Sequence, residues 1–209
     1  MNYASIVNEI RKKKSYLCIG LDTDIKKIPK ALLDFDDPVF EFNKRIIDST
    51  NDLVVAYKPN LAFYESLGTK GIDSLLKTVD YIPENILKIA DAKRGDIGNT
   101  SEMYAKSFFE IFKFDAVTLS PYMGKDSSIP YLKYKDKWII LLALTSNNSS
   151  IDIQHFKNIN QKNLFEHVIE DSLDWSSQEN TMYVVGANRA SELKKIRDII
   201  PNSFILIPY

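Results

Sequence analysis

The densest chemistry in the chain lies in Asp91-Ala92-Lys93-Arg94-Gly95-Asp96, continued by Ile97-Gly98-Asn99-Thr100. Residues two apart on a strand face the same side, so Asp91 and Lys93 can point together. An ammonium held between carboxylates is kept protonated, and a lysine in that position is a candidate proton donor. Gly95 and Gly98 permit a sharp turn or a close backbone approach, and Asp96 falls on that turn. Asp22 and Lys58 likewise follow apolar, strand-like runs. A strand end that merely borders solvent accounts for any one of these charges, and a solvated salt-bridged turn contributes little. Asp22, Lys58, Asp91 and Lys93 together, at the ends of three successive strands, point instead to the C-terminal face of a barrel, where active sites are built.

The elements that must position them alternate along the chain. Continuous apolar runs occur at Tyr16–Leu21, Leu53–Tyr57, Ile86–Ala90, Ala116–Leu119, Trp138–Leu144, Met182–Gly186 and Phe204–Ile207. Unbroken apolar runs fit strands covered on both faces, as in a parallel sheet. Helical signals lie between them. Asp37 before Pro38 reads as an N-cap with proline at the first helical position, and Val39, Phe42 and Ile46 follow at helical spacing. Asn99 with Glu102 resembles a capping box, with Met103, Phe108 and Phe112 as the apolar face behind it. Asn163–Trp175 and Ala190–Ile200 read as two more helices, the last stopped by Pro201. Strand–helix alternation without a composition shift argues for one α/β domain over residues 1–209. Ser146–Ser150 is the most loop-like stretch, placed after the fifth strand.

Composition narrows the function. The 209 residues are 44% hydrophobic and 26% charged, with a formal net charge of −1. Nucleic-acid or membrane binding by bulk charge is therefore not expected. No apolar run approaches the roughly 20 residues of a membrane span. Arg11–Lys14 follows the first residues where a secretory signal would place an apolar segment; this run reads as a solvated helix end. The single cysteine, Cys18, excludes an internal disulfide framework and suits a reducing compartment; it reads as a small buried hydrophobe. The two histidines, His155 and His167, have no nearby cysteine, so neither a metal cluster nor a partner is expected for them. Asn188-Arg189 is compatible with a phosphate site, but Arg189 reads more readily as a solvent-exposed helix start.

These residues carry a resemblance. The Asp91-x-Lys93-x-x-Asp96 pattern resembles that of the orotidine 5′-phosphate decarboxylase superfamily, and Asp91–Thr100 is similar to the decarboxylase family in its longer bacterial and protozoan-type branch. Further segments agree in order: Cys18-Ile19-Gly20-Leu21-Asp22, Ala56-Tyr57-Lys58-Pro59-Asn60, Val117–Gly124, Leu144-Thr145-Ser146-Asn147 and Val185-Gly186-Ala187-Asn188. The resemblance implies a (β/α)8 TIM barrel and a cytoplasmic enzyme of pyrimidine biosynthesis. That enzyme decarboxylates orotidine 5′-phosphate to uridine 5′-phosphate without metal or organic cofactor. By motif match Lys93 is the proton donor to C6, Asp91 orients it, and Lys58 completes the charged network. Asp22 binds ribose hydroxyls, Asn60 supplies an active-site amide, and Thr145 or Ser146 contacts the pyrimidine edge. Asp96 and Thr100 reach into the partner's site, which implies a homodimer.

The family's phosphate site uses a glycine-rich loop after the seventh strand and an arginine after the eighth. Neither falls within these 209 residues, so the last strand–helix unit is expected to be missing from the chain as given. Two other readings compete. One is a Mg2+-dependent sugar-phosphate decarboxylase or aldolase of the same superfamily, disfavoured by Arg94-Gly95 and Ile97–Thr100. The other is a catalytically dead nucleotide-binding barrel, disfavoured by the intact Asp91/Lys93/Asp96 set.

Overall fold

Strands form where β-branched and aliphatic runs lie between turn residues, and helices form where apolar residues recur at helical spacing. In a computed structural model, which describes residues 1–208, the strands are β1 (Cys18–Gly20), β2 (Ala56–Lys58), β3 (Leu87–Arg94), β4 (Ala116–Leu119), β5 (Trp138–Leu144), β6 (Thr181–Val185) and β7 (Ile205–Leu206). The α-helices are α1 (Tyr3–Lys13), α2 (Pro38–Thr50), α3 (Leu61–Glu65), α4 (Thr69–Tyr81), α5 (Gly98–Lys106), α6 (Ile129–Leu132), α7 (Leu164–Leu173) and α8 (Ala190–Ile199). Each apolar run read from sequence therefore overlaps a strand. β3 extends past its run as far as Arg94, while β1 and β7 are shorter than theirs. The chain divides into two compact units: residues 1–92 with 106–117, and residues 93–105 with 118 onward.

In the first unit β1 pairs with β2 and β2 with β3, all parallel. The register puts Cys18 level with Ala56, Gly20 with Lys58, and Ala56 with Leu87. Parallel neighbours need a crossover, and α2 is the one whose start was legible. Asp37 accepts a hydrogen bond from the Phe40 N–H at 3.0 Å, and Pro38 opens the helix. The stripe α2 buries is Val39, Asn43 and Ile47, one position on from the Phe42/Ile46 reading. Its core is Leu21, Ile47, Val54, Tyr57, Ile82 and Ile86. Fully burying side chains of this kind stabilises by about 1.5–3 kcal/mol each. The Tyr57 hydroxyl avoids an unpaired burial by meeting Thr50 Oγ1 of α2 at 2.7 Å.

The second unit repeats the device. β5 pairs with β6 and β6 with β7, again parallel. The buried Tyr183 of β6 meets Ser172 Oγ of α7 at 2.7 Å, as Tyr57 meets Thr50. A capping box does start a helix here, but at Asn163 with Glu166 on α7. Asn99 instead lies inside α5. The apolar face expected behind Asn99 also differs: Met103 is exposed, whereas Phe108 and Phe109, which belong to the first unit, are buried. A π-helical turn at Ser107–Ile111 follows α5 and widens the helix there. His155 is not a bare surface residue. Its ring packs edge-on against Phe165, and Nε2 lies 3.7 Å from the Glu192 carboxylate.

Candidate active site

The parallel register carries the first half of the site. Two residues beyond the Gly20–Lys58 pair come Asp22 and Asn60, and the Asn60 N–H donates to Asp22 Oδ1 at 3.2 Å. Two residues beyond Ile89 comes Asp91, which forms a parallel bridge with Asn60; its N–H donates to the Pro59 carbonyl at 3.1 Å. Asp22, Asn60 and Asp91 therefore lie at one level of three adjacent strands, with Lys58 one step below. This period-two spacing puts them on one face.

Lys58 Nζ stands 3.1 Å from Asp91 Oδ2. Both side chains are largely withdrawn from water, 14% and 10% exposed, so the attraction is screened far less than at a surface. Asp22 is the exposed member, flanked by buried Leu21 and Thr23. Asn60 caps α3, its Oδ1 accepting from the Ala62 N–H at 3.1 Å. Cys18 sits two levels below, half-buried. Burial pushes its thiol up to about 11; the Lys58 ammonium pulls the other way, and the Asp91 and Asp22 carboxylates add to the rise. A thiol in that state is a poor nucleophile at neutral pH.

In the second unit Lys93 lies two residues beyond Asp91 on β3, is exposed, and takes φ = 49°. The rule that residues two apart share a face assumes extended backbone at each position. Lys93 is left-handed instead, so its direction is set by this local twist. Non-glycine residues hold such a conformation only when their surroundings impose it, commonly at functional sites. Part of the imposition is visible: the Lys93 N–H donates to buried Thr118 Oγ1 at 2.8 Å, and the Arg94 carbonyl accepts from the Ser120 N–H at 2.7 Å. The two glycines divide the roles read from sequence. At Gly95 a Cβ would lie 3.2 Å from the Ser120 carbonyl, so close approach matters; Gly98, at φ = 53°, supplies the turn into α5. Asp96 Oδ1 accepts from the Ile97 N–H at 2.9 Å. Thr100 is exposed in the first turns of α5.

The loop after β5 is clamped from several sides. The Thr145 hydroxyl donates to Asn147 Oδ1 at 2.6 Å and accepts from Gln154 Nε2 at 2.8 Å, while the Thr145 N–H donates to Gln154 Oε1 at 2.8 Å. Ser146 is exposed, and its carbonyl accepts from Asn188 Nδ2 at 2.8 Å. Arg189 clamps this loop, a role that sequence reasoning missed. Its guanidinium donates to the Thr145 and Asn147 carbonyls at 3.2 and 3.1 Å and to Ser150 Oγ at 2.6 Å. Nothing in its local sequence separates a clamp from an exposed helix start, because its partners lie about 40 residues away. Beside this loop is a cavity of about 600 Å³ lined by Leu142, Ile153, Leu164, Phe165 and Val168, with Asn147 and Gln154 at its polar side.

Among the described residues no group of three or more His, Cys, Asp or Glu side chains is placed to hold a metal ion. No helix among them is long and apolar enough to cross a membrane.

Comparison with known proteins adds three kinds of finding. A model of the "Orotidine 5'-phosphate decarboxylase / HUMPS family" matches residues 15–206. The orotidine 5'-phosphate decarboxylase of Bacteroides fragilis is 56% identical over 211 residues, covering 100% of this chain and 77% of the relative. That of Parabacteroides distasonis is 57% identical, covering 100% and 75%. Among solved structures, the OMP decarboxylase of Leishmania donovani superposes with a TM-score of 0.89 at 36% identity, covering 100% of this chain and 80% of that one.

Proposed function

The chain belongs to the orotidine 5′-phosphate decarboxylase / HUMPS family, and from that premise we propose that it converts orotidine 5′-phosphate to uridine 5′-phosphate, the last step of de novo pyrimidine nucleotide synthesis. The observation that carries the reading is the sheltered Lys58–Asp91 ion pair, its carboxylate level with Asp22 and Asn60 and followed two residues later by Lys93. The bond from C6 to the carboxylate breaks, its electron pair stays on C6, and CO2 leaves. Lys93 then gives a proton to C6 and is reprotonated from solvent. Its ammonium also opposes the charge developing on C6, a fixed charge that needs no reorganisation during reaction. Asp91 and Lys58 form the charged frame in which Lys93 acts, and Lys58 also reaches a ribose hydroxyl. Asp22 receives ribose hydroxyls, with Asn60 beside it. Ser146 is the better candidate for the pyrimidine edge, because the Thr145 hydroxyl is already committed to Asn147 and Gln154.

The reaction so written uses no metal or organic cofactor. We read residues 1–209 as one domain of a (β/α)8 barrel, supported by the successive parallel strand pairs and the helices between them. The assembly proposed is a homodimer in which Asp96 and Thr100 serve the neighbouring subunit, and the compartment is the cytoplasm. The test is loss of orotidylate absorbance with wild type beside Lys93→Ala. Wild type is active and the variant slower by about 10²-fold or more; an inactive wild type, or a variant that matches it, overturns the proposal. Mixing Lys93→Ala with Asp96→Ala restores partial activity if Asp96 acts across the dimer. No recovery after confirmed subunit exchange removes that part of the reading.

A further inference from the structure

Behind Asp22 lies a buried polar network that the reaction itself does not use. Asp22 is the exposed residue between Leu21 and Thr23, 2% and 5% exposed, and both neighbours are tied into it. The Tyr64 hydroxyl donates to the Leu21 carbonyl at 2.7 Å. The Thr23 hydroxyl donates to Asn43 Oδ1. Asn43 Nδ2 donates to the Tyr64 hydroxyl at 2.9 Å and to Thr78 Oγ1 at 3.0 Å, and Thr78 donates onward to the Ser74 carbonyl at 2.7 Å.

The direction of every bond is fixed. The Thr78 and Tyr64 protons are committed to backbone carbonyls, so the Asn43 amide must present its two N–H groups to them and its oxygen to Thr23. Asn43, Tyr64 and Thr78 have no exposed surface. A well-packed apolar core would avoid the desolvation these groups incur, so a complete network gains in defined geometry what it gives up in stability. The geometry defined here is that of residues 21–23. Tyr64 stands on α3, the helix that Asn60 caps, and the Asn60 N–H holds the Asp22 carboxylate itself. One short helix thus grips the segment at the Leu21 carbonyl and at the Asp22 side chain, while α2 grips it at Thr23 through Asn43.

We propose that Tyr64 and Asn43 are positioning residues for Asp22, fixing the backbone on both sides of it so that its carboxylate is preset for the sugar hydroxyls. This inference rests on the reading of Asp22 as a ribose ligand given above.

The test is a double-mutant cycle on decarboxylation. Tyr64→Phe keeps the ring and deletes the hydroxyl that the Leu21 carbonyl and Asn43 both require. With Asp22 present it lowers kcat/KM for orotidine 5′-phosphate by about tenfold, chiefly through KM. In the Asp22→Ala background the same substitution changes kcat/KM by less than about twofold. Thr23→Val, which cuts the other tie, gives the same pattern and carries the cycle if Tyr64→Phe does not fold. Equal losses in both backgrounds, or no loss in either, overturn the positioning role while leaving the decarboxylase reading intact. A wild type without decarboxylase activity overturns that reading and this inference together.

Discussion

Removing the Lys58 charge leaves the Asp91 carboxylate largely sheltered from water without its 3.1 Å counter-ion. At that separation, and with an effective dielectric constant of about 20, the attraction amounts to about 5 kcal/mol. Desolvation of both ions offsets much of this in the native protein, so the pair adds little net stability. Deleting one partner keeps the cost of burying the other and forfeits the attraction, which destabilises by about 3–5 kcal/mol. For a chain of this length each kcal/mol moves the melting point by about 2–4 °C. Lys58→Met, which keeps the aliphatic volume, is therefore expected to melt about 6–20 °C below wild type. The double variant Lys58→Met/Asp91→Asn removes both charges and should recover to within about 1 kcal/mol of wild type. Thermal unfolding followed by circular dichroism measures all three proteins, and the decarboxylation assay finds both variants inactive. A single variant that melts with wild type, or a double variant no more stable than the single one, refutes the argument that the Lys58 ammonium offsets the burial of the Asp91 carboxylate.

Three further outcomes follow from particular residues. Lys93 is left-handed at φ = 49°, so Lys93→Gly should be more stable than Lys93→Ala by about 1–2 kcal/mol in chemical denaturation although both are slowed alike; equal stabilities would mean the backbone is not strained there. Burial alone would raise the Glu166 carboxyl, but the Lys195 ammonium and hydrogen bonds from the Asn163 backbone and side chain outweigh it and hold Glu166 below its ordinary 4.5. The stability this contributes is present above pH 4.5 and lost as pH falls further. Glu166→Gln should therefore flatten the acid limb of a melting-point-against-pH curve, and an unchanged limb refutes the assignment. A Cβ at Gly186 would come within 2.8 Å of the Ser146 backbone, so Gly186→Ala should displace the loop after β5. The expected result is a KM raised by about tenfold or more, read in the same assay; an unaltered KM excludes this loop from substrate binding.

Much of this arrangement was open to reading from the chain because it obeys short-range rules. The Asp37–Pro38 helix start depends on one cap and one ring constraint, and it appears as read. The charged strand ends at Lys58 and Asp91 depend on period two and on apolar runs, and the parallel register brings them to one face. The readings that failed share a different dependence. The helical spacing of Val39, Phe42 and Ile46 marks α2 correctly, but not that Asn43 sits at the centre of its buried stripe, because Asn43 has hydrogen-bonding partners on α3 and α4 that no local rule can supply. Met103 and Phe108 are five residues apart, which a regular 3.6-residue helix does not bring to one face, and Met103 is exposed while Phe108 is buried.

Asn43 and Arg189 show what kind of information the chain withholds. A polar residue inside an apolar stripe is costly unless every donor and acceptor is met, so its presence signals a network but not its members. Asn43 finds Thr23, Tyr64 and Thr78 at sequence separations of 20, 21 and 35. Arg189 finds carbonyls of Thr145 and Asn147 at 44 and 42. The reacting groups themselves must be particular side chains at particular strand ends, and therefore leave a motif. The groups that hold them in place need only reach a backbone carbonyl, as Tyr64 and Arg189 do, or polar side chains far away in sequence, as Asn43 does, and so leave none. It follows that substitutions at Tyr64, Asn43 and Arg189 should alter how well substrate is held more than they alter the bond-breaking step, whereas substitutions at Asp91 and Lys93 should do the reverse.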